Sequence, residues 1–178
     1  MKKSVLFSIV SVLAAAVLLF GVRFGLSALA AQNAEAERLS MMQTLLPGST
    51  VFEPESYSGD EEAINWVERG ETGYVMQTTT CGYVNDIVLM VGISFDGRVT
   101  GVVVREIEET PGLGAGVLSA SDFLAQFINT SGEAEVGSTV DALSGATVTS
   151  KAVAKGINAA VAYVTGADIS SGATEWGG

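Results

Sequence analysis

Ile87-Val88-Leu89-Met90-Val91-Gly92-Ile93-Ser94-Phe95 and Val99-Thr100-Gly101-Val102-Val103-Val104-Arg105-Glu106-Ile107 stand on either side of Asp96-Gly97-Arg98. Both runs are rich in β-branched residues, and Asp96-Gly97 suits the positive φ angles of a type I′ turn, so the stretch predicts a β-hairpin. Ile87 to Met90 and Val102 to Val104 are continuously apolar rather than alternating. Such runs predict a sheet covered on both faces, with helices packed against it.

Working outward, the segments around Val51, Ile64 to Val67 and Tyr74 to Thr80 read as short strands. Ser58-Gly59-Asp60 and Glu71-Thr72-Gly73 divide them as turns. On the C-terminal side, Ser121-Asp122 suits the start of a helix carrying Phe123, Leu124 and Phe127. Thr149 or Ser150 suits the cap of another running from Lys151 to Val164. Strands followed by helices give an α+β class, with a mainly antiparallel sheet packed by helices.

The N-terminal part is of a different kind. Ser4 to Val22 carries no charge, and its 19 residues reach roughly 28 Å as a helix, enough to cross a hydrocarbon core. Lys2 and Lys3 precede it, and the positive-inside tendency keeps such residues in the cytoplasm. The expectation is a single-pass anchor in the cell membrane over residues 1–31, with the N-terminus cytoplasmic and the soluble domain extracytoplasmic. A cleaved signal peptide is the competing reading, with Ala28-Leu29-Ala30 as the cleavage site. Either outcome exports the rest of the chain. Leu39, Met42 and Leu46 recur at helical spacing before Pro47-Gly48, which predicts a juxtamembrane helix over residues 32–48.

The chain has 178 residues and a net charge of -11, and every Asp and Glu lies beyond Asn33. So acidic a surface repels phosphate backbones and argues against nucleic acid as a partner. There is no histidine, and Cys81 is the single cysteine, so an intrachain disulfide and a cysteine-ligated iron–sulfur cluster are both excluded. No metal site and no catalytic side chain are expected, and redox chemistry would need an organic cofactor. Cys81 reads as a buried small hydrophobe in preference to a reactive thiol.

Two stretches after the hairpin carry the chemistry: Glu109-Thr110-Pro111-Gly112-Leu113-Gly114 and Asp141-Ala142-Leu143-Ser144-Gly145-Ala146-Thr147. Taken alone, the first is explained by an ordinary turn and the second by a loop with a helix cap. The second also allows more. Free N–H groups and the helix dipole favour a phosphate there, and Gly145 and Ala146 let it approach the backbone.

With the N-terminal anchor, the Asp96-Gly97 hairpin and the order of the motifs, these residues resemble one family across nearly the whole chain. It is that of the FMN-binding subunits of ion-translocating electron-transport complexes, especially the G subunit of the Rnf complex and its relative NqrC. The length favours the Rnf type. The resemblance implies an FMN-binding domain over residues 49–166, a C-terminal tail over 167–178, and FMN joined covalently through its phosphate to Thr147, with Ser144, Gly145 and Ala146 around it. It implies that a flavin transferase installs the group from FAD. Asp141 would serve transferase recognition or fix the loop, and Glu109, Thr110, Gly112 and Leu113 would contact the flavin.

The partners implied are the other subunits of a membrane complex, the transferase during maturation, and membrane lipid. The function implied is electron relay in an ion-translocating ferredoxin:NAD oxidoreductase, with no substrate site of its own. A free-standing exported FMN carrier or reductase domain, and a cofactor-free anchored assembly protein, remain as alternatives.

The sequence departs from the family pattern at two places. Cys81-Gly82-Tyr83-Val84-Asn85-Asp86 replaces a more glycine-rich stretch, and Asp168-Ile169-Ser170-Ser171-Gly172-Ala173-Thr174 repeats the bare motif. Thr174 is thus a second candidate acceptor. Only Glu175-Trp176-Gly177-Gly178 comes after it, whereas a helix is expected after Thr147.

Overall fold

In the computed structural model, residues 30–57, 62–107 and 121–166 are described. The chain divides into two units, Met1–Met41 and Met42–Gly178. Of the first, residues 30–41 are helical, with Glu35 and Arg38 facing each other one turn apart at 3.5 Å. They belong to α1, the helical stretch 30–45. The expected anchor lies outside the described residues, and among those no helix is long and apolar enough to cross a membrane.

The second unit is built on the hairpin. β4 (Asp86–Ser94) and β5 (Val99–Ile107) pair antiparallel, as the apolar runs require. β1 (Glu53–Glu55), β2 (Ile64–Arg69) and β3 (Gly73–Cys81) extend the sheet on the β4 side in simple chain order, every pair antiparallel. The strand expected around Val51 starts two residues later, and Val51 itself is exposed.

The connection at Asp96-Gly97 differs from the type I′ turn the dipeptide suggests. Ser94 N–H donates to Arg98 O and Gly97 N–H to Ser94 O, each at 2.9 Å, so the loop is three residues long. Within it only Gly97 has positive φ, at 80°. A third residue spares Asp96 the left-handed region. Phe95 leaves the strand to meet Tyr74 edge-on, 5.4 Å between ring centres, and Asp96 turns to Ser94 Oγ and Arg98 Nε.

Both faces of the sheet are covered. On one lies α3 (Thr147–Thr165), whose Val153, Ile157, Ala160 and Val161 are buried with Met76, Ile87, Leu89, Val91 and Ile93. Thr80 Oγ1 donates to Ala152 O at 2.8 Å, which seats the first turns of α3 at the end of the sheet where Thr80 pairs with Ile87 and Ile87 with Ile107. α2 (Ser121–Ala125) and the tighter turn after it bury Phe123 and Phe127 in the same core.

The other face receives the last turn of α1, with Met42, Leu45 and Leu46 buried. The register shift between Gly92 and Ile93 leaves Thr100 without a partner on β4, a bulge that re-aims its side chain. Thr100 Oγ1 then donates to Leu45 O at 2.5 Å, which satisfies one of the carbonyls a helix end leaves open. The approach is so close that a Cβ on Gly92 would stand 2.2 Å from Leu45 O.

Gly92→Ala therefore forces backbone apart. It should destabilise the chain by about 1–3 kcal/mol, the usual range for overpacking, read as a lower midpoint with unchanged slope in urea denaturation.

Candidate functional site

Leu143 to Thr147 form a turn that opens directly into α3. Ala146 N–H donates to Leu143 O at 2.9 Å, and Gly145 has φ 76°, so Ser144 and Gly145 occupy the centre of a type II turn. Only glycine takes that third position without strain. Ser144 is exposed, while Ala146 is buried at 5% exposure.

The expected cap of α3 is corrected by the observed helix. It starts at Thr147 rather than Lys151, its cap position is Ala146, and no side chain caps it. Thr149 and Ser150 are buried inside the first turn. Ser150 Oγ faces backward, accepting from Leu143 N–H at 3.1 Å and donating to Ala146 O at 2.9 Å. Among the described residues, the N–H groups of Thr147, Val148 and Thr149 have no hydrogen-bond partner. Thr147 itself is exposed. A hydroxyl thus stands at the surface beside open backbone donors at the positive end of a 19-residue helix.

The upstream end of the motif is also held, through backbone. Gln126 Oε1 accepts from Asp141 N–H at 2.9 Å and Gln126 Nε2 donates to Asp141 O at 3.4 Å. The exposed Asp141 carboxylate takes no part in this. Further along α3, Asn158 grips Ala134 in the same two-bond way, at 2.9 and 3.0 Å. Neither Gln126 nor Asn158 belongs to a motif that the sequence singles out. Asn158 could have been suspected as the one amide within the apolar run Ile157 to Val161, whereas nothing local marks Gln126.

Of the other expected contacts, Glu109, Thr110, Gly112 and Leu113 lie outside the described residues, as does Thr174. Ile107, the last described residue before them, ends β5 opposite Ile87, at the end of the sheet where α3 begins.

A cavity of about 580 Å3 opens nearby, lined by Glu62, Asn65, Thr79, Cys81, Asp86 and Lys155. Two carboxylates against one ammonium make it a poor phosphate cradle, and the start of α3 is the better one. Cys81 at its edge is exposed, not buried as expected, because it ends β3 opposite Asp86 at a hairpin tip. The Asp86 carboxylate, by hydrogen bond and by repulsion of the thiolate, pushes the thiol above its usual range, with Lys155 acting weakly the other way. Cys81 is neither core filler nor activated nucleophile.

Residues 82–162 match the FMN-binding domain family, a span that takes in β4, β5, α2, the turn and most of α3. The G subunit of the ion-translocating oxidoreductase complex of Methanosarcina acetivorans is 34% identical over 138 residues, covering 70% of this chain and 73% of that protein. The chain belongs to this G-subunit family. Two further members are similar over shorter stretches. The G subunit of the Na+-translocating ferredoxin:NAD+ oxidoreductase complex of Acetobacterium woodii is 36% identical over 50% of this chain and 47% of its own length. That of the proton-translocating complex of Clostridium ljungdahlii is 38% identical over 52% of this chain and 53% of its own. The chain thus spans about half the length of these two relatives.

The state of Cys81 gives a direct check. Asp86→Asn removes the charge that disfavours the thiolate, so iodoacetamide should alkylate Cys81 severalfold faster at pH 8 than in the parent chain. An equal rate would mean that Asp86 does not control the thiol.

Proposed function

We propose that this chain carries one FMN as a phosphodiester on Thr147 and relays electrons within an ion-translocating ferredoxin:NAD oxidoreductase, with its domain on the extracytoplasmic side of a membrane that Ser4 to Val22 spans. The observation that carries the reading is the start of α3: an exposed hydroxyl at the first residue of an uncapped helix whose first three N–H groups have no partner among the described residues. This lies inside the segment that matches the FMN-binding domain family.

The residues present fit the group. Thr147 Oγ1 supplies the tether. The N–H groups of Thr147, Val148 and Thr149 suit the free phosphate oxygens, and the turn at Gly145 and Ala146 keeps side chains out of the way. Lys151, exposed and one turn along the same helical face, adds positive charge where the ester is anionic.

For attachment, Thr147 Oγ1 attacks the FMN-side phosphorus of FAD held by a flavin transferase. The Oγ1–P bond forms, the P–O bond to the AMP moiety breaks, AMP leaves and the hydroxyl proton passes to a base. No electrons change hands in that step. Once bound, FMN supplies one- and two-electron chemistry, while the protein sets its position and surroundings. The covalent tether keeps the cofactor with an exported domain, and the anchor keeps the domain among subunits held in the same bilayer.

The test is co-expression with a flavin transferase, followed by in-gel flavin fluorescence after denaturation. Wild type and Thr174→Val should fluoresce alike, and Thr147→Val should lose at least about nine-tenths of the signal, because a hydroxyl-free residue cannot form the ester. Loss only in Thr174→Val, or no covalent flavin in wild type, contradicts the reading.

A further inference from the structure

The seven-position pattern Asp-x-x-Ser-Gly-Ala-Thr occurs twice, at Asp141 to Thr147 and at Asp168 to Thr174. The five fixed positions of the pattern are the same in both copies. The residues downstream of it differ. Thr147 is succeeded by Val148-Thr149-Ser150, and Thr174 by Glu175-Trp176-Gly177. Three residues after the acceptor, one copy has a serine and the other a glycine.

That serine is fully buried, at 0% exposure. Leu143 and Ala146, the two ends of the turn, are already joined by the Ala146 N–H bond to Leu143 O at 2.9 Å. Ser150 Oγ joins the same two residues a second time, taking the Leu143 N–H at 3.1 Å and giving its proton to Ala146 O at 2.9 Å. Ser150 N–H reaches Ala146 O as well, at 2.9 Å. A serine inside a helix that bonds back to the carbonyl four residues earlier normally brings no benefit to the helix. Here the hydroxyl's other bond reaches out of the helix to the N–H of Leu143, which has no other partner among the described residues, so its product is a closed turn.

We propose that Ser150 is the positioning residue that selects Thr147 over Thr174. By locking Leu143 to Ala146 against the first turn of α3, it holds the Thr147 hydroxyl and the open N–H groups in one arrangement before any flavin arrives. The transferase then meets the Thr147 hydroxyl already ordered, so that transfer to it outpaces transfer to the second copy. This rests on the reading that Thr147 accepts FMN. The advantage is one of preorganisation, since each residue whose backbone must be fixed on binding lowers the rate by roughly tenfold. Gly177 can supply no such hydroxyl after Thr174.

The test uses the full chain and the transferase, with FMN incorporation followed over time at each acceptor. Trypsin cleavage at Arg105, Lys151 and Lys155 places Thr147 and Thr174 in different peptides, so one digest reports both. Ser150→Ala should lower the initial rate at Thr147 relative to Thr174 by roughly tenfold or more, the worth of two net hydrogen bonds. Ser150→Thr, which keeps the hydroxyl, should restore most of it. Asn158→Ala is the control, because it also deletes two side-chain hydrogen bonds from α3, but to Ala134 outside the motif. It should leave the ratio unchanged even where it lowers the melting temperature as much.

An unchanged ratio in Ser150→Ala, or an equal fall in Asn158→Ala, overturns the proposal while leaving Thr147 as the acceptor. Wild-type protein with flavin on Thr174 alone, or on neither, overturns the proposal together with the reading on which it rests.

Discussion

Burial of one side of α3 against the antiparallel sheet governs where that helix begins, and the start of the helix governs everything at the site. Val153, Ile157, Ala160 and Val161 are locked among Leu89, Val91 and Ile93, and Thr80 pins Ala152 from below. A helix so held cannot shift its first turn to find a cap, and the residue at its cap position is an alanine. Its first three N–H groups consequently have no partner among the described residues, and an anion can satisfy them. Open donors would ordinarily cost some stability. Here they sit beside an exposed threonine hydroxyl, and the turn in front of them is closed by Ser150 rather than by a group that would occupy them.

The same sheet does a second job on its opposite face. The bulge at Thr100 and the absence of a side chain at Gly92 together admit the last turn of α1, so Met42 to Leu46 end in a packed and hydrogen-bonded seat. That seat fixes the point at which the chain enters the domain.

The sequence made the sheet legible where the pattern is local. The continuous apolar runs of Ile87 to Met90 and Val102 to Val104 signalled a sheet covered on both faces, and both covers are present. The Asp-Gly pair locates the hairpin but not its loop, because the extra loop residue, Phe95, packs on Tyr74, twenty-one positions earlier. The bulge at Thr100 was out of reach for a similar reason, since its purpose is a carbonyl at Leu45. The motif from Asp141 to Thr147 is visible in the sequence, whereas the helix cap lies at Ala146 and not at Thr149 or Ser150. Hydroxyls before an alanine-rich run look like caps, and only the packing of α3 turns Ser150 inward to Leu143. Cysteines are usually core residues, but the exposure of Cys81 at a hairpin tip follows from strand pairing, which no local pattern carries.

We propose that the open amides at the head of α3 hold the phosphate of an FMN carried by Thr147. Amide NMR of the chain before and after flavinylation tests it most directly. The Val148 and Thr149 amide protons should move downfield and gain protection from exchange, while those of β2 stay in place. Unmoved Val148 and Thr149 amides in a fully flavinylated chain, with changes confined to the residues around Thr174, would contradict it.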